Sequence, residues 1–415
     1  LERCIGLGVH DQESLFALAR AAEKRGDESQ KVAVLSRLAP DDFAVYAPAH
    51  FWKATQLLSS GAAIDQETAS KAEQQLRFVL QLEPENPDAH AILGDLYFQA
   101  GIWRSAIEHL QRSRNNAFKY RLLLAKAHGA MNRLDPARSY AENVLNDAQV
   151  ILDADPGNTE VRLQMGEAAL LLERYEDAIR ILQDGLTLKD LPEFRKAMAL
   201  VLVHWSDSIL EKDESNSVVA FQLLASAIEQ SPDEFVLFDR ILALLRRQND
   251  TSVQAEAFLK QNIVAGRATG LSHLILGTHF IEQKDVRQAG LHLEQAFRLL
   301  PNAGIVVNNL AWYLVKGEAK EPERALQLID EAIAQDSGVA EFHDTRGHIL
   351  LELERWKDAA VALEKALSGI RPNASTHSGL AMAYEHLGMA EIANEHRQRA
   401  DQLIRVADPE KPTPP

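Results

Sequence analysis

Fourteen histidines are the residues of this chain that most invite a chemical reading, as metal ligands or as acid–base groups near neutral pH. Their spacing assembles neither. No His-Glu-x-x-His occurs, so the two ligands and adjacent base of a zinc hydrolase are missing. Cys4 is the only cysteine, and one thiol makes neither an intramolecular disulfide nor a cysteine-rich zinc site. Glu2 and Arg3 stand where small residues would precede a lipid-modified cysteine. Gly6-Leu7-Gly8 lacks the third glycine of a dinucleotide loop, and no glycine-rich segment ends in Gly-Lys-Ser/Thr to cradle a phosphate. The residues predict no catalytic centre, no metal and no cofactor, and binding chemistry is what remains.

Charge narrows the partners. Sixty acidic residues against 44 basic give a formal net charge of -16. Binding to a phosphate backbone needs a basic face that releases counterions, so nucleic acid is not an expected partner, and anionic lipid is disfavoured for the same reason. No stretch approaches the roughly 20 apolar residues of a membrane span, so direct membrane insertion is not expected. The chain opens at Leu1 and not at methionine, which reads as a fragment or a processed chain with room upstream for a signal or anchor. The compartment stays open between the cytoplasm and the periplasmic or secreted side of a membrane-anchored protein.

A repeated unit must position whatever binds. From Gly270 to Pro301, His273, Leu276, Gly277 and Phe280 fall at i, i+3, i+4 and i+7, one face of an amphipathic helix. After a turn at Lys284-Asp285, Ala289, Leu293 and Ala296 mark a second helix, and Pro301 closes the unit. Gly277 and Ala311 stand 34 residues apart, as do Gly347 and Ala381, Ala359 and Ala393, and Ala366 and Ala400. Further copies carry Leu93-Gly94, Tyr97, Ala106 and Leu110, then Met165-Gly166, Ala178 and Leu182.

This pattern resembles the tetratricopeptide repeat, whose unit of about 34 residues has an aromatic, Leu-Gly and Tyr on one helix and Ala, Phe, Ala and Pro on the next. The resemblance implies an all-α fold, an α-solenoid with a right-handed superhelix of about eleven stacked helix pairs. The pairs are predicted to start near residues 12, 43, 87, 118, 159, 193, 235, 270, 304, 340 and 374. Residues 1–11 form an N-terminal extension. Residues 12–234 form an N-terminal array with a Ser59–Thr68 insertion in the second unit, a lengthened second helix before Asp155-Pro156 in the fourth, and a polar loop at Glu211–Ser217 in the sixth. Residues 235–266 are a divergent repeat, lacking the small residue due near Gln254 and predicted to change the curvature. Residues 267–405 form a regular C-terminal array ending in a polar capping helix, and 406–415 a disordered Pro-rich tail.

The register also accounts for residues that first suggested chemistry. His90, His273, His343 and His377 each stand three residues before Leu93, Leu276, Arg346 and Leu380, in the aromatic slot of the repeat, where rings pack between helices. Trp103, Tyr175 and Trp356 stand three residues before Ala106, Ala178 and Ala359 and read as packing at the turn. Trp312 differs, because it follows the small Ala311 and points toward the concave side; Phe51 follows His50 in the same way.

In the resembled family the first helices line a concave groove. Carried over by position, that face includes Phe51, then Asp88, Asp95 and Phe98, then Lys119, Leu122 and Lys126, then Glu160, Leu163, Glu167 and Leu170. Farther on come Ile305, Asn308, Trp312 and Lys316, then Glu341, Asp344, His348 and Glu352. The charges at matched slots alternate in sign and are predicted to pair laterally between neighbouring helices. The family's clamp for a terminal carboxylate is not assembled. Asn309 fits one slot, but Leu274, Thr278, Glu341 and Thr345 stand where Lys, Asn, Lys and Arg are needed.

The resemblance thus implies a non-catalytic scaffold or adaptor that holds an extended or helical segment of another protein. Two alternatives stay open: a regulatory or substrate-recruiting region of a longer enzyme, and an architectural component of an envelope or secretion assembly.

Overall fold

The computed structural model describes residues 11–59, 65–113, 118–247, 249–267, 269–317, 320–371 and 373–407. Cys4, Gly6-Leu7-Gly8, the centre of the Ser59–Thr68 insertion and nearly all of the Pro-rich tail lie outside them. Among the described residues every long element is an α-helix, and the helices fall into eleven consecutive pairs. The first five are Gln12–Arg25 with Glu28–Leu38, Ala47–Leu58 with Gln66–Leu82, Pro87–Gln99 with Trp103–Arg112, Phe118–Ala130 with Leu134–Ala154, and Thr159–Leu171 with Tyr175–Leu188. The sixth is Pro192–Lys212 with Ser217–Gln230. Then come Val236–Leu245 with Asp250–Val264, Gly270–Glu282 with Val286–Leu299, Gly304–Lys316 with Pro322–Gln335, Ala340–Glu352 with Trp356–Leu367, and Ala374–His386 with Ala390–Ala407. The chain divides into two compact units after Val201, inside the first helix of the sixth pair.

Local chemistry starts and stops these helices. Asp11, Asp65, Asn86, Asn158, Asp285 and Asn373 each accept a backbone N–H three residues on, capping a helix that would otherwise begin with unpaired donors. In most pairs the turn is closed by one left-handed residue, glycine at Gly26, Gly101 and Gly388 and Asn132, Glu173, Lys284, Lys320 or Glu354 elsewhere.

The two helices of a pair approach closely where the repeat carries its small residue. A Cβ on Gly94 would stand 2.6 Å from the Leu110 side chain, on Gly166 2.8 Å from Leu182, on Gly277 2.7 Å from Leu293, and on Gly347 too close to Leu363. The leucine comes 16 residues after the glycine each time, so one steric contact is repeated in four pairs. Around it, Ala89, Leu93, Ala106 and Leu110 in one unit, and Leu276, Ala289, Leu293 and Ala296 in the other, are buried.

Two details differ from the sequence reading. The seventh pair keeps its small residue one position later than expected: Ala255, Leu259 and Asn262 form the buried stripe, with an asparagine where the last alanine belongs. The polar run at residues 211–217 is mostly helical, since the sixth pair's first helix continues to Lys212 and Glu214–Asn216 adds a short 3-10 turn. The last helix buries Ala393 and Ala400 and exposes Asn394, Glu395, Arg397, Gln398, Arg399 and Asp401.

Candidate functional site

In the N-terminal unit the first-helix face is tied sideways. Lys119 Nζ lies 2.6 Å from Asp95 Oδ2, and Lys126 Nζ lies 2.7 Å from Glu167 Oε1, linking the third, fourth and fifth pairs in turn. Lys126 also sits over the Phe98 ring, 5.5 Å from its centroid, while Phe98 meets Trp103 edge to face at 5.2 Å. Phe51 is half-buried and lines a cavity of about 440 Å³ with Phe16, Trp52, Arg20 and Asp88. Leu163 and Leu170 are half-buried. Leu122 belongs elsewhere: at 5% exposure it packs with Ala125, Ala141, Val144 and Ala168, because its helix turns that face into the core. It is a core residue and not a groove residue.

The C-terminal unit gathers the other candidates. Trp312 is half-buried and meets His348 edge to face at 5.1 Å; Lys316 Nζ lies 5.8 Å from the Trp312 ring and bonds Glu352 at 2.7 Å. Beside the indole, Ile281, Lys284, Val286, Ala289, Tyr313 and Gly317 enclose a mostly apolar cavity of about 190 Å³. Ile305, 37% exposed, stands two turns before Trp312 on the same helix. Asp344 accepts from Thr376 Oγ1 at 2.6 Å.

Two expected groups are less open than their positions suggest. His348 is only 6% exposed, covered by Trp312 and by the next pair, whose Ser375 Oγ is 3.2 Å from Nε2. Asn308 has its Oδ1 covered and without a donor, so in this rotamer that oxygen does not face a ligand. Asn309 donates from Nδ2 to Thr278 Oγ1 at 3.0 Å, which spends the one amide that matched a carboxylate clamp on lateral pairing.

Serine, histidine and aspartate meet here without forming a nucleophilic triad. Ser375 Oγ and Asp344 Oδ2 both approach the same nitrogen, Nε2 of His348, at 3.2 and 3.9 Å, whereas a triad needs the carboxylate on Nδ1. Burial lowers the His348 pKa against the opposing pull of Asp344, so the ring is a neutral support for Trp312. His50 is equally committed: the Val45 N–H donates to Nε2, which leaves Nδ1 to donate to Gln75 at 2.7 Å. The four slot histidines, His90, His273, His343 and His377, lie within the stack, and three of them contact a second histidine that single-position reading misses. The signal for these was a histidine 19 residues after the slot.

No helix of the described residues is long and apolar enough to cross a membrane. A family model described as tetratricopeptide repeat matches residues 63–127 and 141–201, and one described as tetratricopeptide repeat-like domain matches residues 210–389. No curated protein matches. Solved structures with similarity include MamA (41 to the end) from Desulfovibrio magneticus RS-1, at 20% identity and a TM-score of 0.34 over 42% of this chain and 98% of that one. Yeast Tom70 is similar at 16% identity and 0.30 over 86% and 92%. A chain of the APC/C hetero-tetramer Cut9-Hcn1 is similar at 12% identity and 0.39 over 98% and 96%.

Proposed function

The chain belongs to the tetratricopeptide repeat family, and from that premise we propose that it is a non-catalytic scaffold that holds an extended or helical segment of a partner protein. The segment lies across the first helices of the eighth to tenth pairs, with Trp312 as its anchor. What carries this reading is the indole itself. Trp312 keeps part of its ring open, is braced edge to face by His348, and with Lys316 beside its ring walls an apolar cavity of about 190 Å³. A braced aromatic beside an apolar recess is the kind of group that dominates interface energetics, because it loses little rotamer freedom on binding. Lys284 and Lys316 at the cavity supply polar groups that fix the register of a bound chain.

The apolar recess takes one aliphatic or aromatic side chain of the partner. The test is affinity capture with the intact chain, then titration calorimetry of the captured protein against wild type and Trp312→Ala, with circular dichroism of both. The expected result is unchanged helicity and an affinity lowered by about 2 kcal/mol. Wild-type affinity in the variant, or a loss that merely tracks lost helicity, overturns the proposal.

A further inference from the structure

The third, eighth and eleventh pairs contain the same histidine couple. Nδ1 of His90, His273 and His377 on the first helix lies 2.9, 3.0 and 2.9 Å from Nδ1 of His109, His292 and His396 on the second. In each, the aromatic seven residues after the first histidine stands against the second ring: Tyr97 at 5.4 Å, Phe280 at 5.6 Å and Tyr384 at 5.7 Å between centroids.

Two imidazoles in this arrangement share a single bridging proton. When both are neutral, one Nδ1–H donates and the other Nδ1 accepts; when both are charged, two N–H groups face each other and the rings must part. In the third pair the direction follows from a neighbour. The Pro84 carbonyl, 3.0 Å from His90 Nε2, only accepts, so Nε2 bears the proton of the neutral ring and Nδ1 accepts from His109.

The couples differ in the charge that faces them. In each case it comes from the preceding pair's second helix, 32 residues before the second histidine: Arg77, Lys260 and Glu364. Arg77 is tied to Glu73, which also accepts from Tyr97 Oη, and Glu108 and Arg112 flank His109 on its own helix. Lys260 Nζ lies 5.3 Å from the Phe280 ring and 2.5 Å from Glu256, and Glu256 is also 3.6 Å from His279 Nε2. Glu364 lies 3.4 Å from His396 Nε2 and accepts from Tyr384, with Arg399 near His377.

We infer that the His273–His292 couple is an acid-sensitive latch between the two helices of the eighth pair, uncharged while closed and opened by proton uptake. At the His377–His396 couple Glu364 stands 3.4 Å from His396 Nε2, so positive charge on the couple is offset by a carboxylate and does not force the rings apart. Lys260 denies the eighth pair that option, with no carboxylate opposing it at His292, and the third stands between them because Glu108 opposes Arg77 and Arg112 at His109.

The direction of the titrations agrees with the geometry. Burial, His273 and Lys260 push His292 down to about 4, and burial lowers His273. An opened ring protonates near 6.5, so between about 6.5 and 4 the opened state binds protons that the closed state refuses. The latch is therefore fully closed above 6.5 and weakens as pH falls. From pH 7.5 to 5.5, His292 alone raises the opening equilibrium roughly tenfold.

The experiment is hydrogen exchange on the full chain at pH 7.5 and 5.5, corrected for the intrinsic chemical rate, following residues 270–299. Opening there rises about tenfold or more in the wild type, while residues 159–188, which include no histidine, stay unchanged. His292→Phe, which keeps a ring on Phe280, removes most of the pH response whatever its effect on absolute stability. Lys260→Gln, at a half-exposed position, reduces the response without touching either imidazole. Glu364→Gln brings acid opening to the eleventh pair. An acid response no larger at 270–299 than at 159–188, or one retained in full by His292→Phe, overturns the latch. An unchanged eleventh pair in Glu364→Gln overturns the role of Glu364.

Discussion

Trp312 and Asn308 are neighbours on one helical stripe with opposite prospects. The indole has His348 behind it and a cavity beside it, so truncation removes both a contact surface and a pocket wall. Asn308 buries an oxygen that has no donor, and removing such a group relieves a cost instead of losing a bond. Asn308→Ala is therefore expected to change stability by less than about 0.5 kcal/mol and to leave partner affinity near wild type, where Trp312→Ala lowers it. Calorimetry of the two variants side by side checks this. A loss in Asn308→Ala equal to that in Trp312→Ala would mean that the amide reorients to meet the ligand.

Within a helix pair, the governing fact is the approach distance at the small slot. Gly277→Leu drives a side chain into Leu293 and should cost about 1 to 3 kcal/mol or more, read as a lowered melting temperature. Arg287→Gln on the exposed face serves as the control. Glu282 is unsuitable as a control because its two carboxylate oxygens share the Nε–H of Arg246 and one of them also accepts from Nη2. The turns offer the opposite change. Glu354 holds a left-handed φ of 56°, which glycine adopts without the Cβ clash, so Glu354→Gly should stabilise the tenth pair by about 0.5–1 kcal/mol. A lowered melting point there would show that the Glu354 side chain makes a contact worth more than the strain. Between pairs, Lys126 bonds Glu167 while half-exposed, so Lys126→Glu is expected to cost no more than about 1 kcal/mol, mostly lost in high salt.

Each of the two compact units gains its stability from neighbour-to-neighbour stacking, so damage should stay local. In Gly277→Leu, hydrogen-exchange protection is expected to fall across the pairs adjoining the eighth and to persist in residues 87–188. Uniform loss along the chain would instead indicate one cooperative transition.

The all-α class, the eleven helix pairs and the glycine and alanine slots are legible in the residues alone, because helical periodicity and close approach at a turn are local properties that recur every 34 residues. It also anticipated the lateral charge pairs Asp95–Lys119 and Lys126–Glu167 from their alternation at matched slots. Which first-helix positions are exposed depends on how the helices pack. Leu122, Asn308 and His348 occupy slots like that of Trp312, yet the rotation of one helix against the next covers Leu122 and His348 and turns the Asn308 oxygen inward. The histidine couples were hidden for the same reason. Their partners lie on different helices, and whether two rings 19 residues apart meet at 2.9 Å depends on how tightly the hairpin closes at its small residue. The sign of the charge facing each couple comes from the preceding pair in the stack, where only packing brings Lys260 near His292 and Glu364 to His396.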